Sequence, residues 1–478
     1  MIRTRFAPSP TGYMHIGNLR TALYEYLIAK KAGGRFILRI EDTDQNRQVE
    51  GAVEMIYSTL QAAGLQHDEG PDIGGAYGPY IQSERKEIYL RLARELIQKG
   101  KAYYCFCGKE RLEALTDDRG IGKYDRRCLP LTKERIQENL AQNMPYVIRQ
   151  IIPEGETSFH DEVFGEITVP NGELDDQILI KSDGLPTYNF ANVADDHLMG
   201  ITHVIRGSEY LSSTPKYNLL YEAFGWPVPA YIHLPLILNA NGEKLSKRKG
   251  DASFEDLTAM GFLPEAIVNY IALLGWSPAE NREIFTLAEL VDCFDTAGLS
   301  KSPSIFDIQK LTWMNGEYFK RMDPEAFYAM SLKALREAVR TPGVDLRAAA
   351  EMARTRVNFL HEIKTLFGFM DSLPAYDERL YEHKKMKTSL GNSLDNLQKA
   401  LPVLESLEIW QGENIHAALM ALIGELGVKN GQMLWPIRTA LSGQPSSPCG
   451  AIELCALLGK GETLRRIRLG VDLLEKAR

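Results

Sequence analysis

Arg3-Thr-Arg-Phe-Ala-Pro-Ser-Pro-Thr-Gly-Tyr-Met-His-Ile-Gly-Asn-Leu-Arg20 decides how the chain is read. Ile2, Thr4 and Phe6 alternate with Arg3 and Arg5, the period of a short strand. Pro8, Pro10 and Gly12 then break the run. From Asn18 onward Leu19, Ala22, Leu23, Tyr26 and Leu27 recur on one helical face, and Gly33 and Gly34 end it. Strand, turn and helix put His15 and Gly17 at a helix N-terminus. Backbone N–H groups and the helix dipole there favour an anion. Gly17 lets a ligand approach the backbone closely, and His15 can donate to a phosphate oxygen. No GxxxxGK[ST] occurs, so a nucleotide site here is not a P-loop. A plain strand-turn-helix connection with an ordinary histidine is the alternative for His15 taken by itself.

A second stretch bears on that alternative. Asn241-Gly-Glu-Lys-Leu-Ser-Lys-Arg-Lys-Gly-Asp251 lies between an apolar run, Leu234 to Leu238, and a helix start at Ser253. Lys244, Lys247, Arg248 and Lys249 crowd together, flanked by Gly242 and Gly250. A solvated loop is one reading; a mobile loop closing on polyphosphate is the other.

Together the two stretches resemble the HIGH and KMSKS motifs of class I aminoacyl-tRNA synthetases, here His15-Ile-Gly-Asn18 and Lys244-Leu-Ser-Lys-Arg248. Phe6 to Gly12, Arg39-Ile-Glu-Asp-Thr-Asp44, Gln82-Ser-Glu-Arg85, Asp195-Asp-His197 and Val204-Ile-Arg-Gly207 resemble the bacterial glutamyl branch of that family. Asn18 stands where the motif name has a second histidine; it can still donate. The resemblance runs the length of the chain.

Composition agrees with a soluble globular protein of more than one domain. The 478 residues are enough for two to four domains. Hydrophobic residues make up 44% and charged residues 25%, ordinary for a globular protein. No run approaches 18 apolar residues, and the N-terminus has no apolar signal segment, so neither membrane span nor export is expected. Six cysteines are too few for a disulfide framework, and reduced thiols in a cytoplasm are expected. The net charge of −8 excludes indiscriminate nucleic-acid binding; RNA contact needs local basic patches.

The expected fold is α/β. A Rossmann-type catalytic domain, residues 1–100 and 186–250, is interrupted by a mixed α/β insertion at 101–185. A stem-contact region follows at 251–322, and an all-α part at 323–478. Arg35 to Ile40 reads as a second strand ending at Glu41. Ser83 reads as the cap of a helix ended by Gly100. Ser213-Thr-Pro215 reads as a helix start, with Gly225 as its stop. In the tail Pro324–Val339, Arg347–Phe369, Ser389–Glu405, Ile415–Leu426 and Leu464–Ala477 read as amphipathic helices.

The resemblance implies ligation of L-glutamate to tRNA-Glu, with tRNA-Gln open as a second substrate, by way of glutamyl-adenylate. ATP and Mg²⁺ are the implied cofactors, and a cytoplasmic monomer is expected. Its catalytic set would be His15, Gly17, Asn18, Lys244, Ser246 and Lys247; His15, Gly17, Lys247 and Arg248 would meet ATP. Arg5, Ala7, Ser9, Glu41, Tyr188, Asn192 and Arg206 would hold glutamate. Arg356 and Arg438 would meet the anticodon; ordinary surface arginines are the alternative. Cys105, Cys107 and Cys128 are spaced for zinc. Pro130 occupies the usual fourth position, so weak or no zinc is expected, and Tyr124, Asp125 or water would have to complete a site.

Overall fold

The computed structural model describes residues 1–12, 14–44, 48–115, 123–245 and 253–477. The chain forms two compact units, Met1–Ile308 and Gln309–Arg478.

In the first unit β1 (Arg3–Phe6) pairs in parallel with β2 (Arg35–Leu38), Arg3 opposite Arg35 and Phe6 opposite Leu38. The crossover is α1 (Ile16–Lys31), whose Leu19, Leu23 and Leu27 are buried. A parallel pair needs such a crossover, and its ligands collect beyond the carboxyl ends of its strands. α2 (Ala52–Ala62) and α3 (Lys86–Gln98) follow. Ser83 is not the cap of α3: it lies in a 3₁₀ turn, Gln82–Arg85, where its backbone N–H donates to Asp42 Oδ1 at 2.7 Å. Tyr89, Leu92, Ala93 and Leu96 of α3 pack a buried cluster with Phe190, Leu220 and Tyr221. Each large apolar side chain buried this way contributes about 1.5–3 kcal/mol.

The insertion begins with β3 (Ala102–Cys105), α4 (Lys109–Glu113) and α5 (Lys133–Ala141). β4 (Val147–Gln150) is antiparallel to β3. β5 (Glu156–Asp161) and β6 (Gly165–Pro170) form an antiparallel hairpin, and β7 (Ile178–Ile180) returns to pair with β4. α6 (Tyr188–Leu198), β8 (His203–Gly207), α7 (Thr214–Phe224) and β9 (Ala230–Leu234) follow. β8 and β9 are parallel, and the hairpin joins them through Asp161 opposite Tyr231, giving the order β6-β5-β9-β8. Pro215 starts α7 and Gly225 ends it at φ +77°, a conformation that favours glycine. β10 (Ile237–Leu238), α8 (Phe254–Ala259), α9 (Pro264–Ala272), α10 (Leu287–Cys293) and β11 (Ser304–Ile305) complete the unit. Ser253 caps α8 in a capping box with Asp256.

The second unit is helical, with no strand among its described residues. α11 (Ile308–Arg321) leads into α12 (Pro324–Ala338). The expected helix over 347–369 is two pieces, α13 (Leu346–Arg354) and α14 (Glu362–Phe367). The break lies between Thr355 and His361, where the Glu362 carboxylate accepts from the N–H groups of Asn358 and Phe359 ahead of α14. α15 (Leu390–Glu405) and α16 (Gly412–Leu426) fall where expected, the former capped by Ser389. α17 (Asn430–Ser442) was hidden by Pro436 inside it. α18 (Ala451–Lys476) begins thirteen residues before the expected Leu464 and is kinked at Gly459, φ +77°. No helix among the described residues is long and apolar enough to cross a membrane.

Candidate active site

The carboxyl ends of β1 and β8 open on a pocket of about 250 Å³. Arg5, Ala7, Ser9, His15, Gly17, Asn18, Tyr188, Arg206 and Lys244 all line it. Parts of the chain 239 residues apart therefore meet at one place. His15 is the N-cap of α1, its Nδ1 accepting from the Asn18 N–H at 3.3 Å. A Cβ at Gly17 would stand 3.0 Å from the His15 ring. Any larger residue there would press the imidazole away from the helix start by a few tenths of an ångström. The ends of the lysine-rich loop are tied down beside it. Lys244 bridges to Leu238, and Ser253 bridges to His15. Lys244 Nζ pairs with Glu209 at 2.9 Å. Ser246, Lys247 and Arg248 lie outside the described residues.

Behind the pocket is a buried ion network that sequence reasoning found only in part. Arg39 is fully buried and donates to Glu41 at 2.9 Å and to Asp196 at 2.8 Å. Arg5 lines the pocket, yet its donors are engaged: Nε and Nη2 on Asp196 at 2.9 and 3.3 Å, and Nη1 on Glu25 at 3.3 Å. Burial opposes the charge of Asp196, but Arg5 and Arg39 hold its carboxyl below the usual range. The signal that could have exposed this network is Asp195-Asp196 itself. An acidic pair directly following the largely apolar Phe190 to Ala194 on one helix is set for burial and then needs partners.

Glu41 and Asn192 are not on the pocket wall; both are buried behind it. Glu41 Oε1 accepts from Arg39 and, at 3.4 Å each, from Gln82 and Asn192. Glu41 Oε2 has no hydrogen-bond partner among the described residues. Burial pushes the Glu41 carboxyl upward, against Arg39 and Arg5. Arg206 mirrors it: Nε donates to His233, Nη2 to Thr214, and Nη1 is buried without a partner among the described residues. Both charges act on the half-buried Tyr188 phenol, which burial holds neutral. Glu25 Oε2 and Arg20 Nε, on the pocket wall, are also without partners among the described residues; spare acceptors and donors of opposite charge suit a ligand carrying an amine and a carboxylate.

Of the two other expected sets, the fold brings the cysteines together. Cys105 and Cys107 each lie 3.3–3.4 Å from the Tyr124 hydroxyl, and the Cys107 and Cys128 sulfurs are 3.5 Å apart. All three sulfurs fall within 4.8 Å of one another. A tetrahedral zinc with bonds of about 2.3 Å spaces its sulfurs on that scale. Asp125 is turned aside by Arg111. In the helical unit Arg356 is exposed, its guanidinium on Met352 O and Thr355 Oγ1. Arg438 is buried, stacks on Trp435 at 4.1 Å, and donates to Pro445 O and Ser447 Oγ in the 443–450 loop.

Residues 1–313 match the model of "tRNA synthetases class I (E and Q), catalytic domain", and residues 320–471 that of an anticodon binding domain. The chain is 58% identical to a glutamate–tRNA ligase of Clostridium novyi over 480 residues, covering 100% of this chain and 99% of that one. It is 59% identical to one of Clostridium tetani over 479 residues, 99% and 98% of the two chains. Among solved structures, a glutamate tRNA ligase of Elizabethkingia meningosepticum, in complex with its amino acid, is 36% identical with a TM-score of 0.86, covering 99% of both chains. A glutamate–tRNA synthetase of Elizabethkingia anophelis matches as well, at 36% identity and 0.86. The chain belongs to the E and Q family of class I tRNA synthetases.

Proposed function

We propose that this chain is a glutamate–tRNA ligase that joins L-glutamate to tRNA-Glu at the expense of ATP. The observation that carries the amino-acid specificity is Arg206 Nη1, on a residue of the pocket wall and without a hydrogen-bond partner among the described residues, with the equally unpartnered Glu41 Oε2 buried behind that wall. Glu41, oriented by Asn192, takes the α-amino group with Ser9. Arg206, supported by the charge of Arg5 and the Tyr188 hydroxyl, takes the side-chain carboxylate. The α-carboxylate then attacks the α-phosphate of ATP, forming glutamyl-adenylate and releasing pyrophosphate. The 2′-OH of the terminal adenosine next attacks the glutamyl carbonyl, and AMP leaves.

Positioning and charge stabilisation do most of this work. His15, the N-terminus of α1 at Gly17 and Asn18, and the loop residues Lys244, Ser246, Lys247 and Arg248 face the phosphates. Mg²⁺ travels with the nucleotide. Residues 101–185 serve the acceptor end and 251–322 the stem, while 323–478, with Arg356 and Arg438, meet the anticodon. Cys105, Cys107, Cys128 and Tyr124 fit a zinc ion, which would fix the start of the insertion and take no part in the chemistry. Metal analysis tests this: about one equivalent, lost in Cys128→Ser, is expected, and a metal-free folded protein overturns it. The enzyme acts as a monomer in the cytoplasm.

The test of the whole reading is ATP–pyrophosphate exchange with glutamate, with and without tRNA, followed by charging of tRNA-Glu and tRNA-Gln transcripts. Exchange that needs tRNA, and charging of tRNA-Glu, are expected. Failure to charge either transcript overturns the assignment.

A further inference from the structure

Arg206 is held from one side only, and the group holding it reaches into the insertion. Its Nε–H and the adjacent Nη2–H form one edge of the guanidinium. That edge is occupied, by His233 Nε2 at 3.3 Å and Thr214 Oγ1 at 3.1 Å. The terminal edge carries Nη1, which has no partner among the described residues. The Tyr217 ring, 4.4 Å from the guanidinium carbon, packs against it.

For His233 Nε2 to accept, the ring must be neutral with its proton on Nδ1. Asp161 imposes that arrangement. Its Oδ2 accepts from His233 Nδ1 at 2.7 Å and from the His233 backbone N–H at 3.0 Å. Its Oδ1 accepts from the N–H groups of Val163 and Phe164 at 3.0 and 2.8 Å. Asp161 and His233 are both fully buried. Burial opposes the Asp161 charge, but His233 and the two backbone donors outweigh it and hold the carboxyl below its usual range. Burial likewise pushes the imidazole toward neutrality. Thr214 spends its own proton on Tyr210 O at 2.9 Å, so its oxygen is left to accept from Arg206.

We infer that Asp161 and His233, with Thr214, are positioning residues for glutamate specificity: they occupy the inner edge of Arg206 and present its terminal edge to the substrate carboxylate. The inference rests on the reading of Arg206 as that carboxylate's partner. Asp161 stands on β5, in the insertion, while Arg206 and His233 stand on β8 and β9. The amino-acid site is therefore finished by a strand from outside the two Rossmann halves. None of the three is on the wall of the pocket, which is why a search for substrate contacts passes them by.

Asp161→Asn is the sharpest variant. The amide would donate to Nδ1, moving the ring proton to Nε2, where it meets the Arg206 Nε–H as a second donor. The Michaelis constant for glutamate, measured by exchange with tRNA present, is expected to rise at least about tenfold, the loss of one hydrogen bond to a charged group. The constant for ATP and the rate at saturating glutamate should stay within about threefold. A folded Asp161→Asn with an unchanged glutamate constant overturns the inference. If Arg206→Gln also leaves it unchanged, the failure lies instead with the role of Arg206. A second measurement needs no variant: nitrogen-15 NMR of the unmodified enzyme, with His233 identified by its contacts to the Phe159 and Tyr231 rings. Protonated Nδ1 and bare Nε2 are expected, and a proton on Nε2 overturns the inference.

Discussion

Arg206 in the catalytic unit and Arg466 in the helical unit are both buried guanidiniums, and they are built for opposite purposes. Arg466 donates from Nε to Glu462 at 2.6 Å, from Nη1 to Phe369 O and Leu441 O at 2.9 and 2.6 Å, and from Nη2 to Met370 O at 2.8 Å. It closes the chain ends of α14 and α17 onto α18. Every nitrogen is used within the protein. Arg206 keeps one nitrogen unused among the described residues. A buried donor without a partner costs about 1–3 kcal/mol, so folding alone does not favour it. The difference between the two arginines separates a clamp from a receptor.

The clamp should give the larger effect on stability. Arg466→Ala is expected to destabilise the helical unit by about 3–5 kcal/mol, since Glu462 and three carbonyls lose a buried charged partner. Urea unfolding followed in the helical unit measures it. The glutamate Michaelis constant should not move. If Arg206→Gln proves as destabilising as Arg466→Ala, the distinction between clamp and receptor fails.

The receptor should show the reverse. Arg206→Gln is expected to raise the glutamate Michaelis constant about ten- to a hundredfold, equivalent to about 1.5–3 kcal/mol for a hydrogen bond to a charged group. Its unfolding midpoint should shift little. A stability loss with unchanged glutamate kinetics would make Arg206 a second clamp.

How much of this could be read from the sequence follows from what kind of signal each feature leaves. The first strand, turn and helix could be read because Pro8, Pro10, Gly12 and the apolar spacing of Leu19 to Leu27 are local. Arg206 could be placed at a strand end for the same reason. Its partners could not: Asp161 lies 45 residues and His233 27 residues away, and pairing of parallel strands leaves no trace in spacing. Periodicity ran 347–369 together because the turn before α14 is held by the Glu362 carboxylate, on a residue that also suits a helix interior. Pro436 concealed α17, although a proline in a long buried helix is tolerated when packing supports it. Pro130 argues for weak or no zinc and leaves Tyr124, Asp125 or water as candidates for the fourth ligand; that Tyr124 rather than Asp125 lies against the thiols is set by the fold and leaves no mark in the spacing.

The comparison extends to the arginines expected at the anticodon. Arg438 shares one trait of the clamp, pinning the 443–450 loop through Pro445 and Ser447, although its buried Nε has no partner among the described residues. Arg356 is exposed, held only by its own helix end, and its charge reaches the Cys449 thiol of that loop. A base-reading side chain needs a free donor on a firm support, and Arg356 fits better. Glutamate and glutamine anticodons differ at the third base, C against G. Arg356→Gln is expected to narrow the preference for tRNA-Glu over tRNA-Gln by about 1–3 kcal/mol, the range for a good base contact in DNA. kcat/KM on both transcripts measures it. Equal charging by the unmodified enzyme would make Arg356 no filter, and a gap that survives the mutation would move the filter elsewhere.

The smallest effect sharpens the clamp itself. Hydrogen bonds from Arg465 hold Glu462 down; burial opposes them, and Arg466 adds to them, leaving its pKa at about 2. An unfolded glutamate titrates near about 4.3. The folded value is the lower one, so the contribution is fully present above about pH 4.5 and is lost as pH falls toward 2. Glu462 is partly exposed, and Arg465 is more so, which limits the contribution to about 1 kcal/mol. Glu462→Gln keeps acceptors for Arg466 but cannot titrate. The variant should therefore melt below the unmodified protein at pH 7, and the gap should close as pH is lowered from 5 to 3. If the gap stays constant over that range, the carboxylate charge is not what secures Arg466, and the three backbone carbonyls carry the clamp alone.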